Sequence, residues 1–295
     1  MPRIALKVDI DTLRGTREGV PRLLSILESE GACATFLFSL GPDHTGWALR
    51  RALRPGFLAK TQRTSVLKHY GLRTLLNGVL LPGPDIGKAA AAEMRSALAA
   101  GHEVGIHSWD HVLWQDNVRG RDKAWTLRQM TLAYDRFVAI FGLAPATHGA
   151  AGWQGNDAAL RQIDAWGMRY ASDGRGTAPF VPVVAGRTLA HVQLPTTLPT
   201  LDELIGTDGL DEGNVSAALL RRTDGPRDQV FTLHAELEGG LLSPAFVRLL
   251  RGWRTQGHEL VTLGGLFATL ERASLPIFPL RWGHVPGRSG ELLVC

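Results

Sequence analysis

Two short motifs contain side chains that could bind a metal ion. Asp9 and Asp11 follow one short apolar run, and His107 and His111 follow another, within His-Ser-Trp-Asp-His. Two neutral imidazoles and a carboxylate are a usual ligand set for a catalytic divalent metal that keeps open coordination positions. A second carboxylate nearby supplies a base for the attacking water. Together the motifs predict a metal-dependent hydrolase.

The spacing within each motif is compatible with this chemistry. Side chains at i and i+2 of a strand point to the same face, so Asp9 and Asp11 can stand side by side at a strand end. His107 and His111 are four residues apart, which brings both rings to one side of a helical turn. Taken singly, the aspartates could be turn formers and the histidines ordinary core or surface residues. The residues alone do not decide which aspartate is the ligand and which is the base.

His234 is a third candidate, at the end of the apolar sequence Phe-Thr-Leu-His. A histidine with a pKa of about 6.5 can donate a proton to a leaving amine at neutral pH. The alternative is a strand-end histidine that is hydrogen-bonded to a backbone carbonyl.

Strand-like apolar runs alternate with helix-like segments through most of the chain, for example at 4–8, 33–39, 103–106 and 230–233. Repeated βα units imply an α/β protein with a parallel sheet, either open or closed into a barrel. The candidate residues lie at the carboxyl ends of three different predicted strands. In (β/α) barrels, the rim formed by these ends carries the active site. We therefore expect a barrel. Without internal repeats or linkers, residues 1–295 are predicted to form one domain.

The segment 44–84 departs from this alternation, because it carries seven basic residues and neither aspartate nor glutamate. Aromatic and leucine residues are interleaved with them, which suits the interface of an anionic membrane. The alternative is a solvated helical insertion packed on the barrel. Nucleic acid is not an expected partner, because no binding motif accompanies the charge. The residues predicted to contact membrane or lipid phosphate are Arg50, Arg51, Arg54, Lys60, Arg63, Lys68 and Arg73.

The composition of the chain indicates the kind of cellular compartment and partner to expect. The formal net charge of +4 favours an anionic partner, and two cysteines give no disulfide framework and fit a reducing environment. We find no secretory signal and no apolar run of the roughly 18–20 residues that span a bilayer. A peripheral protein without a signal peptide or transmembrane helix is expected.

With these motifs in place, the chain resembles the polysaccharide deacetylase (NodB-homology) family, whose members remove acyl groups from sugars on a distorted (β/α) barrel. The resemblance implies that Asp9 is the base, that His234 is the acid, and that Asp11, His107 and His111 hold one divalent ion, either Zn, Mn, Co or Ni. Two departures stand out: Ile10 separates the aspartates, which are usually adjacent, and 150–154 replaces the Arg-x-Pro motif.

Further motifs resemble one branch of this family, which removes formate from a formamido-arabinose carried on undecaprenyl phosphate. This implies a lipid-linked substrate at the cytoplasmic face of the inner membrane, in the lipid A modification that gives resistance to cationic peptides such as polymyxin. The alternatives are an N-deacetylase of another acylated sugar and a non-catalytic binding protein. The motifs lie at 11–24, 102–107, 150–153, 198–200 and 234–236.

Five other residues are candidates for contacts with the sugar or its phosphate. Trp109, Trp153 and Tyr170 could shape the pocket or stack on the sugar, although core packing is an equal alternative. Asp173 and Arg175 follow a predicted strand and are candidates on the rim.

Overall fold

The computed structural model describes residues 1–48 and 72–295. The strands are β1 (Arg3–Ile10), β2 (Thr35–Ser39), β3 (Glu103–Ser108), β4 (Tyr170–Ala171), β5 (Val181–Val184), β6 (Arg187–Thr188), β7 (Val192–Gln193), β8 (Gln229–His234), β9 (Glu259–Val261), β10 (Ile277–Phe278), β11 (Arg281–Gly283) and β12 (Leu292–Val294). The α-helices are α1 (Val20–Ser29), α2 (Leu72–Leu76), α3 (Ile86–Ala89), α4 (Ala91–Ala99), α5 (His111–Asn117), α6 (Lys123–Phe141), α7 (Asp157–Ala165), α8 (Leu201–Leu204), α9 (Val215–Leu220), α10 (Ser243–Thr255) and α11 (Leu263–Phe267).

A parallel sheet forms the centre of the molecule. Its strands are ordered β3-β2-β1-β8, and β9 pairs with the beginning of β1. Because neighbouring strands are parallel, their carboxyl ends share one edge, and Asp9 of β1 lies directly opposite His234 of β8. The predicted strands at 4–8, 33–39, 103–106 and 230–233 correspond to these four strands.

Short, irregular segments close the sheet into a ring. The ring runs from β3 through 147–149, β4 and 192–197 to β8. The connecting hydrogen bonds are donated by the amides of Gly149, Ser172, Leu194 and Thr197 to the carbonyl oxygens of Ile106, His148, Ala171 and Val230, respectively, over N···O distances of 2.9, 2.8, 2.8 and 3.1 Å. The prediction of a distorted (β/α) barrel is confirmed, whereas the single domain over 1–295 stays a prediction.

The two faces of β1 differ in chemistry. Leu6, Val8 and Ile10 are buried in the main hydrophobic cluster, together with side chains of α1 and α10. The intervening side chains point the other way, because successive strand residues alternate between faces. Lys7 reaches the backbone of Ser172, beyond β4 on another part of the ring, so this second face is the barrel interior.

The predicted membrane-contact residues Arg50, Arg51, Arg54, Lys60, Arg63 and Lys68 lie outside the described residues. Arg73 falls within α2, but its side chain is not among those that the structure describes. Across the described ranges, none of the helices combines the length and the apolar character needed to cross a bilayer.

Candidate active site

The histidine pair lies at the junction of β3 and α5. His107 is in β3, and His111 is the first residue of α5, whose N-cap residue Asp110 accepts a hydrogen bond from the Leu113 amide at 3.0 Å. The two ring centroids are 5.3 Å apart. The expected proximity of the rings is present, but a strand-to-helix turn produces it, whereas the sequence suggested a single helical turn.

Asp11 brings the two imidazoles together one residue beyond the end of β1. Its Oδ1 atom lies 3.2 Å from His107 Nε2 and 3.4 Å from His111 Nε2. Within the described chain, these residues form a group whose ligand atoms all lie within 4.8 Å of one another. The Asp11 Oδ1 atom is buried and accepts no hydrogen bond from the described residues. An orphaned carboxylate oxygen facing two imidazole nitrogens fits one divalent metal ion.

The backbone selects the tautomer of His107. Its Nδ1 atom lies 2.7 Å from the carbonyl oxygen of Gly149. Because a carbonyl oxygen only accepts, Nδ1 carries the hydrogen and Nε2 presents its lone pair toward Asp11. Such a second hydrogen bond is the usual way in which a metal-binding histidine is oriented.

Charges within the group support an ionised Asp11. Burial raises the pKa of this carboxyl, but the imidazoles of His111 and His107 outweigh it and hold the pKa well below its usual range. The pKa of His107 is raised, because the charges of Asp9 and Asp11 outweigh its burial. Asp11 therefore supplies the negative charge that attracts a cation.

Asp9 and His234 lie side by side on neighbouring strands next to this group. The Asp9 Oδ1 atom lies 3.8 Å from His107 Nδ1. Asp9 Oδ1 and His234 Nδ1 are both buried and have no hydrogen-bond partner among the described residues. The five residues that were predicted to bind the metal or to transfer protons thus lie together at one rim of the barrel.

Two glutamates for which the sequence predicted no role accept hydrogen bonds from the backbone at this rim. Glu236 Oε1 accepts hydrogen bonds from the amides of Asp11 (3.1 Å) and Thr12 (2.9 Å) and from the Thr12 hydroxyl (2.7 Å). Burial and then the charge of Asp11 raise the pKa of Glu236 to about 8. Glu238 Oε2 accepts from the His234 amide at 2.8 Å, and burial raises the pKa of Glu238 to about 8. The motif at 234–236 includes Glu236 and is the sequence feature that could have identified it.

The two predicted tryptophans lie in different surroundings. Trp109 is partly buried and packs beneath the guanidinium of Arg136, 5.1 Å from the ring centroid. Trp153 is buried, and its ring centroid lies 4.9 Å from the guanidinium carbon of Arg175 and 4.5 Å from that of Arg288. Stacking of either ring on a sugar stays a prediction.

Tyr170 lies at the opposite end of the barrel. Its hydroxyl donates to Glu103, and its ring stacks on Phe267 with the centroids 4.8 Å apart. Glu103 is the first residue of β3, whereas His107 is near its end. The structure therefore separates Tyr170 from the other candidates, and its contact with the sugar stays a prediction.

Asp173 and Arg175 are buried in internal polar contacts. Asp173 lies 2.6 Å from His148 Nδ1, and His148, which the sequence did not single out, immediately precedes the glycine that orients His107. Arg175 donates to Glu203 at 2.6 Å. Direct contact of Asp173 or Arg175 with a substrate stays a prediction.

Comparison with known proteins gives consistent similarities. No protein-family model matches the chain. A protein of Shewanella sediminis, the probable 4-deoxy-4-formamido-L-arabinose-phosphoundecaprenol deformylase ArnD, is 38% identical over 290 residues, which cover 98% of this chain and 93% of the relative. A protein of Wigglesworthia glossinidia brevipalpis with the same name is 32% identical over 278 residues, covering 94% and 96%.

Solved structures show the same fold. A crystal structure from Mycobacterium smegmatis, assigned as a polysaccharide deacetylase, aligns with a TM-score of 0.65 at 16% identity and covers 96% of this chain and 94% of its own. A probable polysaccharide deacetylase from Pseudomonas aeruginosa PAO1 aligns with a TM-score of 0.56 at 16% identity, covering 88% and 87%. At this level of identity the similarity concerns the fold.

Proposed function

Because the chain belongs to the family of 4-deoxy-4-formamido-L-arabinose-phosphoundecaprenol deformylases, we propose that it removes formate from that formamido sugar on its undecaprenyl phosphate carrier. The product is the amino sugar used to modify lipid A, which confers resistance to polymyxin. One observation carries the proposal: a carboxylate, a histidine and a complete metal ligand set meet at one rim of the barrel.

The metal ligands are Asp11, His107 and His111, which suit one Zn, Mn, Co or Ni ion. When bound, such an ion acts as a Lewis acid toward the formyl carbonyl and toward water. Asp11 contributes the negative charge, and the carbonyl of Gly149 fixes the ring of His107. Glu236 holds the backbone of Asp11 in place.

Asp9 and His234 move the protons. Asp9 Oδ1 takes a proton from the water while the oxygen of the water bonds to the formyl carbon. Asp9 Oδ1 is available for this step because it has no hydrogen-bond partner among the described residues. His234 then donates a proton to the sugar nitrogen as the C–N bond breaks. The products are formate and the free amine, so the reaction consumes one water molecule.

An apolar tip supports contact with an anionic inner-membrane surface on its cytoplasmic side. Val79, Leu80 and Leu81 are exposed, Leu80 by 76%, at the end of the basic segment 44–84. This part of the chain is tied to the site, because His44 Nδ1 lies 2.5 Å from Asp110, which caps the helix that begins at His111. Apolar side chains beside basic residues suit a lipid headgroup interface.

Formate release from the lipid-linked formamido sugar tests the activity. We expect the wild type loaded with a divalent metal to release formate, and we expect a chelator to abolish release. His107→Ala and Asp9→Asn should each lower kcat by at least about 100-fold. His284→Ala, which removes an exposed histidine outside the site, is the matched control and should retain full activity.

The outcomes separate the alternatives. Release that survives the chelator or either site substitution contradicts the metal–base mechanism. A wild type that cleaves an acetylated sugar but not the formamido lipid contradicts the proposed substrate and favours an N-deacetylase with the same fold.

A further inference from the structure

Lys7 is a charged side chain inside the barrel. It lies on β1 two residues before Asp9 and is fully buried. Burying an ammonium group is costly unless it is paired and hydrogen-bonded. Its partners therefore indicate why a lysine occupies this position.

The ammonium group of Lys7 connects Asp9 with another part of the barrel wall. Its Nζ atom lies 3.3 Å from Asp9 Oδ2 and donates a hydrogen bond to the carbonyl oxygen of Ser172 at 3.1 Å. The ring of Trp153 lies 5.5 Å away. Contacts to a carboxylate, a carbonyl and an aromatic ring hold the ammonium in one position.

Gly149 provides the space for Lys7. A Cβ atom at this position would lie 3.0 Å from Lys7 Cε and 3.3 Å from Lys7 Nζ. The carbonyl of the same glycine accepts the hydrogen bond from His107 Nδ1. One backbone segment therefore orients a metal ligand and packs against the lysine.

The contact with Lys7 makes the two oxygens of Asp9 different. Oδ2 is held by the ammonium, whereas Oδ1 has no hydrogen-bond partner in the described chain and lies 3.8 Å from His107 Nδ1. A carboxylate anchored through one oxygen presents the other in a fixed direction. Orientation of this kind matters because a reacting group misplaced by about 1 Å can lose roughly 100-fold in rate.

We propose that Lys7 is a positioning residue that holds Asp9 through Oδ2, so that Oδ1 takes the proton from the attacking water. This inference rests on the proposed deformylase function. Lys7 itself does not touch the substrate, and its effect passes entirely through Asp9.

The test compares Lys7→Met with Asp9→Asn and with the double variant. We expect Lys7→Met to lower kcat for formate release by roughly 100-fold, with KM and bound metal per chain essentially unchanged. In the Asp9→Asn background the same substitution should have little further effect, because the interaction that it removes is already lost. Lys7→Arg, which keeps the charge, should recover at least about tenfold in kcat over Lys7→Met.

Lys88→Met is the matched control, because Lys88 is exposed and forms an ion pair with Asp85 away from the site. It should retain the wild-type kcat. Should Lys7→Met not fold, as judged by circular dichroism, Lys7→Gln keeps a donor for Ser172 without the charge, and the same loss of kcat is expected.

A purely structural role for Lys7 predicts different results. Wild-type kcat in the neutral variants, loss of bound metal, or an equal loss of activity in the Asp9→Asn background would each overturn the inference while leaving the deformylase function intact. A wild type that releases no formate overturns the proposed function and the inference with it.

Discussion

The carboxyl groups around the candidate site differ in the charges that face them. Asp11 faces two imidazoles, and its pKa is lowered despite burial. Glu236 and Glu238 are equally buried but accept hydrogen bonds mainly from backbone amides, and their pKa values are raised to about 8. Near neutral pH the two glutamates are therefore largely protonated and serve as acceptors that fix the backbone, whereas Asp11 stays charged.

Removing the Glu236 acceptor should weaken metal binding. Glu236→Ala leaves the amides of Asp11 and Thr12 without their partner, and we expect metal affinity to fall by about 10- to 100-fold because the ligand is no longer oriented. Glu236→Gln keeps an acceptor oxygen and should stay within about threefold of the wild type. Calorimetric metal titration measures both. Equal affinity of the alanine and glutamine variants contradicts the role.

Glu238 should make stability fall as pH rises. Its pKa is about 4.5 ordinarily and about 8 in the folded protein, so the folded state binds a proton that the unfolded state has lost between these values. The stabilisation is complete below pH 4.5 and decreases by up to about 1.4 kcal/mol per pH unit as pH rises to 8.

Urea denaturation between pH 5 and 9 tests this linkage. Glu238→Gln should resemble the wild type near pH 5 and be more stable than it near pH 9. Glu212→Gln, at an exposed position, should follow the wild type throughout. Parallel stability profiles for the wild type and Glu238→Gln would refute the raised pKa.

The sequence predicted the residues that carry recognisable chemistry and missed those whose role depends on distant neighbours. Asp9, Asp11, His107, His111 and His234 form local motifs. Lys7 acquires its role from the backbone at Ser172, and Glu236 from the backbone at Thr12, which is 224 residues away in sequence. A buried lysine within a strand carries no local signal of its partner.

At the scale of elements, backbone crossings constrain the start of α1. Gly19 is the last residue of the π-helical turn Gly15–Gly19, and a Cβ atom there would lie 2.1 Å from the carbonyl oxygen of Ala235. Gly239 approaches the same place, where its added Cβ would lie 2.7 Å from Gly19 Cα. The segment after β8 therefore packs directly on the backbone that follows Asp11.

Alanine at position 19 should destabilise the protein. In an open helix the change from glycine would gain up to about 1 kcal/mol, but the contact with a backbone oxygen forces a shift that costs about 1–3 kcal/mol. Gly120→Ala is the matched control, because no atom lies within 4 Å of its added Cβ. Urea denaturation reports both free energies of unfolding. A Gly19→Ala protein as stable as Gly120→Ala would rule out the close crossing.

The sequence predicted the elements on one side of the barrel better than on the other. β1, β2, β3 and β8 each contain five or more residues with strong apolar character, and each was predicted within a few residues of its bounds. β4 and β7 contain two residues each, and the segment 147–149 joins the ring through single hydrogen bonds. Segments this short show no periodicity, so closure was inferred from where the candidate residues fall.

For the molecule as a whole, membrane attachment should depend on the tip at 79–81. Leu80→Asn should weaken binding to vesicles containing phosphatidylglycerol by about tenfold, equivalent to about 1.4 kcal/mol, because an exposed leucine no longer enters the interface. Leu143→Asn changes an exposed leucine after α6 and should bind as the wild type does.

Vesicle sedimentation measures this binding. Addition of salt should weaken wild-type binding if the basic segment contributes, because the attraction to anionic lipid is screened. Unchanged binding of Leu80→Asn would exclude the tip from the contact.

The alternation along β1 also limits how this gene can evolve. Lys7, Asp9 and Asp11 follow one another at intervals of two, and Ile10 between the aspartates is fully buried in the hydrophobic cluster on the outer face. Single substitutions along this strand can be sampled one at a time, whereas an insertion or deletion of one residue between Lys7 and Asp9 would turn the lysine to the face opposite the carboxylate that it holds.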